Sequence, residues 1–142
     1  MRRLLLSIGN PARRDDGVAH EVLKKLPESE SRSFLQLTPE VAAEIASYDV
    51  VVFIDADVQV GDLSIDEVDE STCPPPLTHA ATPGQIVRLA RSMFGFGGRA
   101  LVCRIPVFDL SCEEGLSRRA ALLPARAAAE LERLPHVPSG VE

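Results

Sequence analysis

Short apolar runs alternate with apolar residues at helical spacing along this chain. Leu4 to Leu6 lie in an unbroken apolar stretch, which predicts a buried strand over Arg3 to Ile8. Val18, Val22 and Leu26 then recur every four residues and predict a helix over Gly17 to Leu26, stopped by Pro27. Ser33 to Leu37 reads as a short strand. Thr38-Pro39-Glu40 supplies an N-cap and a proline at the first helical position, for a helix through about Ser47. Val50 to Ile54 is β-branched, apolar and short, as in a strand covered on both faces, and it closes on Asp55-Ala56-Asp57. Leu63 to Asp69 alternates only roughly and reads as an edge strand. Ser71 to Ala81 is loop, with prolines at 74 to 76. Thr82-Pro83 repeats the cap-plus-proline start and predicts a helix to about Phe94, ended by the glycines between 95 and 98. Ala100 to Val107 is a further strand, and Ser117 caps a long last helix with Pro124 as a kink. Residues 135–142 read as a flexible tail.

Strands that alternate with helices predict an α/β fold. The expectation is a single three-layer α/β/α domain over 1–134, on a mostly parallel twisted sheet of about five strands. Ligands in such folds gather beyond the carboxyl ends of the strands. Three loops should meet there: Gly9 to Asp16, Asp55 to Asp57, and the loop that holds His79.

Composition narrows the function classes. The chain has 142 residues, 45% of them hydrophobic, which is enough for one real core. A formal net charge of -6 argues against nucleic acid as a partner. No Lys or Arg occurs from Ser33 to Val87, while acids run from Glu40 to Glu70. That span is either a surface for a cation or basic peptide, or a solvated acidic edge. Cys73, Cys103 and Cys112 have no Cys-x-x-Cys spacing, which fits a reducing compartment and a buried Cys103. The apolar start is too short for a signal peptide and no window reaches membrane-spanning length, so a soluble cytoplasmic protein is expected.

The loop Ser7-Ile8-Gly9-Asn10-Pro11 to Asp15-Asp16-Gly17 carries most of the candidate chemistry. A Gly-Asn-Pro turn re-aims the chain, and acids favour a helix N-terminus. One acid suffices for a cap. Asp15 takes that role in this reading and Asp16 points into the cleft. Asp16, Asp55 and His79 together form a mixed oxygen and nitrogen set that zinc, nickel or iron accepts. Asp57 reads as a solvated loop acid, His20 as a surface or internally satisfied histidine, and His136 as part of the tail. The dinucleotide fingerprint, the Gly-x-Ser-x-Gly elbow and the His-Glu-x-x-His helix are all missing.

These residues resemble the hydrogenase maturation endopeptidase family. The resemblance rests on Ile8-Gly9-Asn10-Pro11 with Asp15-Asp16-Gly17, on Val51-Val52-Phe53-Ile54-Asp55-Ala56, and on His79 ahead of Ile86-Val87, with Gly115-Leu116-Ser117 as a weaker fourth piece. It implies an endopeptidase that removes a C-terminal extension from the nickel-loaded large-subunit precursor of a nickel-iron hydrogenase. It also implies Asp16, Asp55 and His79 as metal-contacting and catalytic residues. The nickel would be carried by the precursor, with zinc or cadmium able to occupy the site in vitro. Either the ion polarises the scissile carbonyl or its water, or a carboxylate acts as general base. The family's Asp-x-Gly-Thr segment is replaced here by Gln36-Leu37-Thr38-Pro39-Glu40. Two other readings remain: a metal-centre checkpoint that docks a metalloprotein without cutting it, and a peptidyl-tRNA hydrolase-like esterase using Asn10 and His20.

Overall fold

The computed structural model describes residues 2–71 and 81–134, so His79, Cys73, His136 and the expected tail lie outside the described residues. Among these residues five strands form one sheet: β1 (Arg3–Ile8), β2 (Glu30–Phe34), β3 (Val50–Asp57), β4 (Ser64–Glu67) and β5 (Arg99–Pro106), in the order β2-β1-β3-β5-β4. The first four in that order run parallel, and β4 is antiparallel to β5. Among the described residues four helices cover the sheet: α1 (Val18–Lys24), α2 (Val41–Ile45), α3 (Pro83–Phe94) and α4 (Leu123–Arg133). The expected three-layer, mostly parallel α/β architecture is what the chain adopts.

Alternation along the central strands splits the core in two. Leu4, Leu6, Val51, Phe53 and Val102 pack under α2 and α3, against Val41, Ile45, Ile86 and Val87. Leu5, Val52, Ile54, Cys103 and Ile105 face the opposite way, against Val18 and Val22 of α1 and Ala127 and Leu131 of α4. Burying both faces is why β1 and β3 read as continuous apolar runs rather than alternating ones.

Several boundaries differ from the pattern. β2 runs over Glu30–Phe34 and not Ser33 to Leu37, because its register is set by pairing Leu4 with Glu30 through Ile8 with Phe34. Leu37 instead drops into the core, 1% exposed. α2 is shorter than expected; Val41 N–H bonds to Thr38 C=O and Ala42 N–H to Pro39 C=O, so its first turn is 3₁₀-like. α3 begins as expected, with a full capping box between Thr82 and Gln85, and ends on Gly95 at φ 71°. Pro124 opens α4 within its first turn rather than kinking it. Ser117 does not cap α4: its hydroxyl accepts from Ala120 N–H, at the start of the 3₁₀ turn Ala120–Leu122 that precedes α4.

Candidate functional site

The carboxyl ends of β1 and β3 lie side by side, with Ile8 paired to Asp55. The loop after β1 turns back onto this edge. Gly9 makes that possible: a Cβ there would stand 2.0 Å from the Asp16 backbone oxygen. Asn10 N–H donates to Asp16 Oδ2 at 2.7 Å, and Asn10 Oδ1 accepts from Ala12 N–H at 3.0 Å. The chain then runs through a 3₁₀ segment, Pro11–Gly17, in which Arg14 takes φ 47°. A non-glycine residue in that region is strained and needs neighbours to hold it. Arg14 is tied by its guanidinium to Glu113 at 2.6 Å and Asp109 at 3.5 Å.

Asp15 is the restraint beside it, and here the expected helix cap gives way to a different role. α1 has Gly17 at its N-cap and no side-chain cap. The Asp15 side chain is fully buried and points across the molecule. It accepts from the backbone N–H groups of Phe108 (3.0 Å), Asp109 (2.8 Å) and Ser117 (2.7 Å), and from the Ser117 hydroxyl (2.7 Å). A buried carboxylate needs such a set of donors, and one helix N-terminus offers fewer. Asp15 therefore fastens the first loop to the loop after β5 and to the approach of α4.

Asp16 and Asp55 are both half-buried and electrostatically coupled. The Asp55 carboxyl is pushed up to about 6, first by burial, then by the charge of Asp16, then by Asp57; the Ala56 N–H and Arg104 pull the other way. Asp57 is not the solvated loop acid expected: it is the last residue of β3, and its carboxylate lies 3.6 Å from Arg104 Nε. Arg104 stands opposite Asp55 in the β3–β5 register. Its one signal in the sequence is its place as the lone cation inside the apolar run 100–107.

His20 is satisfied internally. Its Nε2 lies 2.8 Å from the Gly9 carbonyl, which only accepts, so that nitrogen carries the proton. Nδ1 then accepts from the Ser7 hydroxyl at 2.6 Å. Both ring nitrogens are thus engaged, Nδ1 with β1 and Nε2 with the loop that follows it.

Of the three expected ligands, Asp16 and Asp55 come together at one sheet edge, and His79 is outside the described residues. Among the described residues no three His, Cys, Asp or Glu side chains form a metal-holding group. The two carboxylates supply hard oxygen donors whose mutual repulsion a divalent cation would relieve, so they fit part of such a set. Several acids of the span answer to arginines instead: Glu44 to Arg32, Asp62 to Arg126, Glu67 to Arg99 and Glu70 to Arg91.

No protein-family model and no curated protein sequence matches this chain. Solved structures do. The hydrogenase maturating endopeptidase HybD from Escherichia coli superposes with a TM-score of 0.73 at 19% identity, over 92% of this chain and 90% of that one. The NiFe hydrogenase maturation protease HycI from Thermococcus kodakarensis gives 0.64 at 23% identity, over 93% of each chain. A hydrogenase 2 maturation peptidase from a Thaumarchaeota archaeon gives 0.66 at 18% identity, over 92% of this chain and 95% of that one. This chain has the fold of these proteins over nearly its whole length.

Proposed function

We propose that this protein is a hydrogenase maturation endopeptidase, which cuts a C-terminal extension from the nickel-loaded large-subunit precursor of a nickel-iron hydrogenase. The observation that carries the reading is the coupled pair Asp16 and Asp55 at the carboxyl edge of a sheet shared with HybD and HycI. A carboxylate held near 6 by burial and by a neighbouring acid is poised for a cation or a proton.

In this proposal Asp16, Asp55 and His79 contact a nickel ion that arrives with the substrate. Two carboxylates and one imidazole leave coordination positions open, so an ion can be shared between precursor and protease. Sharing it fixes the scissile bond beside these residues. Water adds to the scissile carbonyl carbon, aided by the ion or by a carboxylate that takes the water's proton. The C–N bond then breaks, leaving a new carboxylate on the subunit and an amine on the released peptide. A cytoplasmic location, where precursors are assembled, belongs to the same proposal. Among the described residues no helix is long and apolar enough to cross a membrane.

The test is to incubate the protein with nickel-loaded and nickel-free precursor and to read the precursor's mass. One C-terminal loss is expected, with nickel only. His79→Ala and Asp55→Asn should each slow it by at least roughly 100-fold, the upper end of what losing an outer partner of a metal ligand costs. A nickel-loaded precursor that binds yet stays intact overturns the protease in favour of a non-cutting checkpoint.

A further inference from the structure

Three large apolar side chains stand exposed where strands leave the carboxyl edge of the sheet. Leu35 follows β2 and is 68% exposed, Val58 follows β3 and is 67% exposed, and Phe108 lies just past β5 and is 39% exposed. Strand order places β1 and β3, with Asp16 and Asp55, between β2 and β5. Adjacent strands are about 4.8 Å apart, so the line from β2 to β5 is roughly 14 Å long. An extended chain of four or five residues, at about 3.3 Å each, covers that distance.

Phe108 is held out rather than left loose. Its own N–H and that of Asp109 are bonded to the buried Asp15 carboxylate, and the Arg119 guanidinium stacks 4.2 Å from its ring. An aromatic ring fixed in an exposed position loses little further freedom on binding, which favours it as an anchor. Between the apolar ends lies negative charge from Asp16 and Asp55, which asks for positive charge in the middle of whatever lies there.

We infer that Leu35, Val58 and Phe108 form a docking strip for an extended segment of the substrate polypeptide. That segment would carry apolar side chains at its two ends, for Leu35 and Phe108, and between them a cationic or metal-bearing centre with an apolar neighbour for Val58. The inference rests on the proposed function and deepens it, by stating where the precursor chain lies and which side chains it must present.

The test compares the wild type with Leu35→Ser, Val58→Ser and Phe108→Ala, using nickel-loaded precursor in surface-binding and processing assays. Met93→Ser serves as the control, because Met93 is equally exposed, at 67%, but lies near the end of α3, toward the amino edge of the sheet. Cadmium affinity and melting temperature are measured on every variant. The strip predicts about tenfold or weaker precursor binding for Phe108→Ala, the loss expected for an anchor. Smaller losses are expected for Leu35→Ser and Val58→Ser, and none for Met93→Ser, with cadmium affinity unchanged throughout. Full binding and processing by the three strip variants overturns the strip while leaving the protease reading intact. A wild type that neither binds nor cuts the precursor overturns both.

Discussion

Both carboxylate oxygens of Asp15 accept hydrogen bonds from the protein, whereas one oxygen of Asp16 accepts from Asn10 N–H beside the sheet edge that carries Asp55. Removing Asp15 would strand three backbone N–H groups in a buried place. Asp15→Ala should therefore cost roughly 3 kcal/mol or more, well beyond the loss of a helix cap. Urea denaturation checks this, and a loss below about 1 kcal/mol would contradict the clamp. Asp55 has the opposite character. Its carboxyl sits at about 6 in the folded chain against an ordinary 3.8, so between those values the folded protein holds a proton that the unfolded chain has released. Stability then falls as pH rises through that window. Asp55→Asn should remove this slope and stabilise the isolated protein at neutral pH. Protons also compete with metal ions for the same oxygens, so cadmium should bind more weakly at about pH 5 than at about pH 7.5. Thermal melts and titrations at both pH values read the two effects separately.

Elements with strong local signals and elements with none coexist in one sheet. α3 carries its own start and stop in Thr82, Gln85 and Gly95, and it forms as its sequence dictates. Thr82→Ala should cost about 1 kcal/mol, since it removes the acceptor for Gln85 N–H. Equilibrium unfolding tests this, and Thr82→Ser should restore most of the loss. β2 is the contrary case. Glu30-Ser31-Arg32-Ser33-Phe34 has no apolar alternation, and only the free edge of β1 makes it a strand. Such a strand contributes backbone hydrogen bonds and little burial, which is why the pattern misplaced it toward Leu35 and Leu37. α2 is short because Pro39 and the packing of Val41 and Ile45 define only its first turns.

At the scale of the whole molecule, the two apolar clusters on either side of the sheet act as one core divided by the strands. Cys103 lies in the cluster beneath α1 and α4, fully buried, and burial pushes its thiol up to about 12. Cys112 is exposed. In a chain carrying Cys73→Ser and Cys112→Ser, Cys103 should react with a thiol reagent only through global unfolding. Its labelling rate should then fall with urea removal along the same slope as the unfolding free energy. Labelling that ignores denaturant would mean a local opening of α1 or α4. The acidic span shows the same long-range logic. Its carboxylates look like a charged face in sequence, yet several meet arginines from β2, α3, β5 and α4.

The sequence by itself determined the layers: apolar runs at β1, β3 and β5, helical spacing at α1 and the capped start of α3 leave few other arrangements. It also marked Asp16 and Asp55 as candidates, Asp55 as an acid at the end of a buried apolar run and Asp16 as the second of two acids at a helix start, where one suffices for a cap. What it did not contain was the partner of each polar group. Asp15 read as a cap because the nearest donors in sequence are those of α1, while its actual donors come from residues 108–117. Arg104 and Asp57 became a pair only when β3 and β5 took their register. Local periodicity reports which face of an element is buried. Which buried charge meets which donor depends on contacts between segments about a hundred residues apart, such as Asp15 and Ser117, and only the assembled tertiary structure decides those.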